Sequence, residues 1–143
     1  MTAKEYLGKI RLLDERISQK IWEREDLERK RTLISAIDYS RERLSGSKSG
    51  EAPFVKTSDK LVDLSREIDR EIEKFSVEKH KIINLIQGLG NSKFARVLYE
   101  HYVKYKDFSV IAEELNYTYQ YIIELHIGAL KYFENTYKIL LKF

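Results

Sequence analysis

Cysteine is absent from this 143-residue chain, which excludes disulfides, thiol nucleophiles and cysteine-held metals, and suits a reducing cytoplasm. Proline occurs once and glycine six times, so long tracts contain nothing that stops a helix. Charge of one sign is also lacking. The 26 Lys and Arg against 23 Asp and Glu leave a net charge of +3, too little to demand a nucleic-acid partner. No apolar run is long enough to span a membrane, and the best one is broken by Glu124 and His126. Met1-Thr2-Ala3-Lys4-Glu5 leads into no apolar secretory core, so a soluble protein with no membrane partner is expected.

Catalytic constellations are missing too. His80, His101 and His126 stand apart, and none has Cys, His or carboxylate at zinc-site spacing. Each reads as a helix-surface or half-buried residue. Gly88-Leu89-Gly90 lacks the Lys-Ser/Thr of a phosphate loop and follows a helix rather than a strand, so it reads as a cap. Glu113 and Glu114 are adjacent on a helix and cannot converge on a substrate. The expectation is no enzyme, cofactor, metal or small-molecule substrate.

What is present is helical. Thr2-Ala3-Lys4-Glu5 matches a capping box. After it, Tyr6, Ile10, Leu13, Ile17, Ile21, Leu27, Ile34, Ile37 and Leu44 keep three-, four- and seven-residue steps. One helix of roughly 60 Å is expected from about residue 3 to 44, at about 1.5 Å per residue. Lys20, Arg24 and Arg31 fall on its seam and make the register imperfect. Trp22, beside that seam, reads as a hairpin or dimer anchor. Residues 45–58, with Ser45-Gly46-Ser47-Lys48-Ser49-Gly50 and Pro53, read as a flexible loop. Ser58 is the expected cap of a second helix, which carries Leu61, Leu64, Ile68, Ile72, Phe75, Lys79, Ile82, Ile86 and Leu89. Two such helices predict a long antiparallel, coiled-coil-like hairpin over residues 1–91, closed by left-handed caps in Gly88-Leu89-Gly90-Asn91.

Residues 92–143 form the second expected domain. Phe94, Ala95, Leu98 and Tyr102 mark a helix to about residue 105. Ile111, Ala112 and Leu115 share one face of a short helix, and Asn116-Tyr117-Thr118 supplies a left-handed residue and a cap. A longer helix follows and is expected to run to the end of the chain, with Ile122, Leu125, Ala129 and Phe133 facing the core. A short helix, a three-residue turn and a longer helix is the helix-turn-helix pattern, whose second helix enters the DNA major groove. The expected class is therefore all-α, a helical hairpin followed by a helix-turn-helix unit. Eight of the ten tyrosines (99, 102, 105, 117, 119, 121, 132 and 137) lie in this last third; core and interface packing is their commoner use, and base stacking the alternative.

With those residues in view, the chain resembles small phage and prophage proteins of Gram-positive bacteria, the late-transcription regulators of the ArpU and RinA kind or domains of unknown function. The resemblance is carried by Met1 to Leu7 with Ile10-Arg11-Leu12-Leu13-Asp14, by the Gly/Ser loop and by the Ile-rich second helix. It is most specific over Ile111 to Tyr119, Leu125-His126 and Ala129-Leu130, a block similar to the DNA-reading region 4 of bacterial sigma factors. It implies transcriptional control in the cytoplasm of a bacterial host cell, with double-stranded DNA or RNA polymerase as partner. Thr118, Tyr119, Gln120, Tyr121 and Glu124 would reach base edges, and Lys104, Lys106 and Lys131 would meet phosphates. A homodimer through the hairpin is expected, because such proteins read two-fold sites. The chain departs from the family at Gln120, Glu124 and Gly128, where members tend to carry Arg.

That departure supports a competing expectation. Tyr119, Ile123 and Ile127 form an (i, i+4) stripe on the side meant for DNA, and with Trp22 they suit a dry protein contact. The chain would then be a protein-interaction module that holds itself, or inhibits or modulates a host protein such as a polymerase or a defence nuclease. Small terminase subunits also combine these elements, but with the DNA-binding unit first in the chain; here it comes last.

Overall fold

In a computed structural model the backbone is described for residues 1–45 and 53–143, and side chains for 1–37 and 59–143. The protein is all-α, with no strand among the described residues. Its helices are α1 (Ala3–Ser45), α2 (Pro53–Gln87), α3 (Ser92–Leu98), α4 (Phe108–Leu115), α5 (Tyr119–Thr136) and the short α6 (Lys138–Leu141). A π-helical turn, Tyr99–Val103, continues α3.

Two compact units are present, Met1–Glu15 with Ser76–Phe143, and Arg16–Phe75. The start of α1 joins the first unit through Tyr6, whose ring centroid lies 6.0 Å from that of Phe133, and the end of α2 through the Leu85 carbonyl, which accepts from the Tyr137 hydroxyl.

In the Arg16–Phe75 unit, the seam cations are answered across the helix pair. Lys20 Nζ lies 2.7 Å from Glu71 and Arg24 Nη1 2.8 Å from Asp69, while the Arg16 guanidinium covers the Phe75 ring at 5.7 Å. Position rises on α1 as it falls on α2, as in an antiparallel pair. Ile68 is buried, with Ile17, Ile21, Leu27, Leu61, Ile72 and Phe75 half-buried. Ion pairs this exposed are screened by solvent, so they fix register more than stability. Three expectations are corrected here. Leu64 and Ile37 are exposed rather than on the seam. Trp22 is not buried as an anchor among the described residues: it is 61% exposed, with the Arg29 guanidinium 5.9 Å above it. The second helix begins at Pro53, not Ser58, because proline's fixed φ and missing N–H suit a first helical turn. The expected loop residues 46–52 lie outside the described residues.

The other unit holds the larger core. Leu7, Ile10, Ile82, Ile86, Val97, Leu98, Ile111, Ile122 and Phe133 are buried. The capping box closes as expected, Thr2 N–H donating to Glu5 and Glu5 N–H to Thr2 Oγ1, both at 3.2 Å. The Ala3 N–H donates to Glu134 Oε1 at 2.9 Å, tying the start of α1 to α5. Asp14 receives Lys79 Nζ at 2.6 Å and the Tyr105 hydroxyl.

Two chain ends differ from expectation. Gly88 and Gly90 make no left-handed cap, and Asn91, at φ −111°, is instead the N-cap of α3. Glycine at 88 serves close approach: a Cβ there would sit 3.1 Å from the Asn84 carbonyl oxygen and 3.2 Å from the Tyr137 hydroxyl. The final helix does not run on unbroken. It ends at Thr136, and Tyr137, whose hydroxyl donates to the Leu85 carbonyl, breaks it before α6.

Candidate nucleic-acid interface

The geometry begins at the end of α4. Asn116 is left-handed (φ 58°, ψ 40°), its N–H donates to the Glu113 carbonyl and the Tyr117 N–H to that of Ala112. This paired Schellman closure satisfies two of the four orphan carbonyls of α4. Thr118 then caps α5, its Oγ1 accepting from Tyr121 N–H at 3.1 Å. Ile111, Ala112, Val97 and Ile122 pack together beneath the turn, with Phe108, Leu115 and Leu125 around them. The expected inward face of α5 is found: Ile122, Ala129 and Phe133 are buried and Leu125 half-buried.

The opposite face is open. Tyr119 is 56% exposed, Gln120, Tyr121 and Glu124 are exposed, and Ile123 is half-buried beside Ile127 at 49%. Gln120 Nε2 lies 3.5 Å from Glu124 Oε1, a weak link that a base edge could replace. Tyr121 packs on Tyr117, ring centroids 4.8 Å apart. The Thr118 Oγ1 accepts in its cap, which leaves its O–H available to donate. Gly128 does not share the open face, since a Cβ there would meet the Phe94 ring at 3.3 Å. Position 128 is therefore turned toward α3.

The three lysines differ in availability. Lys131 is exposed, and no ion pair engages it among the described residues. Lys104 reaches Glu100 at 3.4 Å and lies 5.8 Å over the Tyr99 ring. Lys106 sits between Glu100, 2.8 Å, and Glu114, 2.7 Å, so two carboxylates already hold its charge. Lys106 and then Lys104 keep the buried Glu100 carboxyl below the ordinary glutamate value, although burial alone would raise it.

Behind α5, two of the three histidines expected to stand apart are brought together, and the fold is the reason, while His80 is exposed on α2. The π-helical turn carries His101 and Tyr102, and α5 carries His126. The His101 and His126 rings lie 5.5 Å apart, with Phe108 stacked on His101 at 4.1 Å. His101 Nδ1 donates to the Lys106 carbonyl at 2.8 Å. The Tyr102 hydroxyl lies 2.8 Å from His126 Nε2, a bond the neutral imidazole accepts in its Nδ1–H tautomer. Burial, then His101 and Lys4, push His126 down to about 4. Burial pushes Tyr102 up to about 12. Aromatic spacing alone gave no signal of this cluster.

Among the described residues no group of three His, Cys, Asp or Glu could hold a metal ion, and no helix is long and apolar enough to cross a membrane. Comparison with protein-family models, curated proteins and solved structures finds no match.

Proposed function

We propose that the chain is a DNA-binding transcriptional regulator of phage origin, with α4, the turn and α5 acting as a sigma-region-4-like helix-turn-helix. The observation that carries this reading is the capped start of α5, which leaves Tyr119, Gln120, Tyr121 and Glu124 exposed just beyond the turn. Gln120 suits adenine and Glu124 suits the amino group of cytosine. Lys104 and Lys131 would contact phosphates on either side. Such binding weakens steeply with salt, because each neutralised phosphate releases counterions. Fluorescence anisotropy of a labelled duplex tests it: binding at low salt that fades as salt rises supports the reading, and no binding at low salt removes it.

A second reading is favoured by one observation, the exposure of Tyr119 and Ile127 beside half-buried Ile123. Bulky apolar groups on an open face suit a dry protein partner, such as a host polymerase or a defence nuclease. A partner retained from nuclease-treated host lysate and lost on Ile123→Asp with Ile127→Asp supports it. A partner indifferent to those changes rules the stripe out. A homodimer burying Trp22 is the assembly this reading and the first share, and sedimentation velocity on the protein and its Trp22→Ala variant decides it.

A further inference from the structure

The cations expected near α5 are partly spent on carboxylates, yet two others border the same turn. A cleft of about 320 Å3 is lined by Ser92, Lys93 and Arg96 of α3, Leu115 at the end of α4, Tyr117 of the turn and Leu125 of α5. Lys93 and Arg96 are exposed, and among the described residues neither lies within ion-pair distance of a carboxylate. They stand three apart on α3 and so share a face. Leu125 places the cleft one turn along α5 from Tyr121, whose ring packs on Tyr117 at the cleft edge. A positive concavity beside the turn complements one macromolecular feature well, a run of backbone phosphates passing the mouth of a groove.

We propose that Lys93 and Arg96 form the principal phosphate clamp of this protein, seating the DNA backbone in the cleft while α5 addresses the bases; the inference rests on the DNA-binding reading above. Arg96 offers the phosphate a planar fork and Lys93 a point charge, with the Ser92 hydroxyl on the rim. Lys106 takes no part, because Glu100 and Glu114 hold it.

The test uses the full chain and a mixed-sequence duplex of about twenty base pairs, with anisotropy titrations from about 20 to 200 mM salt. The Lys93→Gln/Arg96→Gln variant should bind roughly tenfold more weakly at low salt, with a salt slope shallower by about two. A control that removes two charges elsewhere, Lys74→Gln/Lys81→Gln, should bind as the parent does. Both pairs are exposed, so thermal melts should match the parent. A parent that binds while the Lys93/Arg96 variant keeps the parent's affinity and slope overturns the clamp alone. Equal losses in the control overturn it as well, since net charge would then be the cause. A parent that ignores duplex overturns the clamp together with the DNA-binding reading, and one that binds polyglutamate instead reassigns the cleft to an acidic protein segment.

Discussion

His126 shows most clearly how a single residue is shaped by its surroundings. Its neutral form is favoured in the folded protein, because burial and the nearby His101 and Lys4 all oppose a charge there. The unfolded chain would titrate near 6.5, the folded one at about 4. Between those values the unfolded state binds the extra proton, so stability is full above about pH 6.5 and falls as pH drops toward 4. The loss from this residue is on the order of 3 kcal/mol, at about 1.4 kcal/mol per unit. Urea unfolding at several pH values checks it. His126→Gln should be less stable at pH 7 but should lose less between pH 6.5 and 4. Parallel curves for the two proteins would assign the acid sensitivity elsewhere. Tyr105 is the other residue under unusual constraint. It is held left-handed at φ 59° while Asp14 accepts its hydroxyl and the Arg11 guanidinium lies 4.8 Å from its ring. Those contacts offset a conformation that bulky side chains rarely adopt.

Elements were legible in the sequence where burial follows a helical period. Ile122, Ala129 and Phe133 lie inside, and Thr2, Glu5 and Thr118 cap as their types require. Features set by contacts distant in sequence were not legible. The π-helical turn at Tyr99–Val103 leaves no period to read, being a single wide turn. The break at Tyr137 depends on the Leu85 carbonyl, fifty-two positions earlier in the chain. The meeting of His101 with His126, and the cleft beside Lys93 and Arg96, depend in the same way on how α3 packs against α5. Charge was the least legible property, since Lys104, Lys106 and Lys131 look alike in sequence and differ in what holds them. One element-scale outcome follows from the turn. Thr118→Ala should cost about 1 kcal/mol, because the Tyr121 N–H loses its acceptor. Denaturant titration reads this directly. An unchanged midpoint would mean that packing alone sets where α5 begins.

For the whole molecule, the two compact units use different chemistry. Arg16–Phe75 is matched by ion pairs of modest strength, with Trp22 and Leu33 left exposed. The unit of Met1–Glu15 with Ser76–Phe143 has a largely apolar core, to which α5 contributes Ile122, Ala129 and Phe133 while its opposite face stays open. The account stands on that face meeting duplex DNA. The most direct measurement is amide NMR of the isotope-labelled protein as unlabelled duplex is added at low salt. The account predicts the largest shift changes at Tyr119, Gln120, Tyr121 and Glu124 and along Ser92 to Arg96, with Ile68 and the seam around it unmoved. Changes confined to the Arg16–Phe75 unit, or none at α5 with saturating duplex, would contradict it.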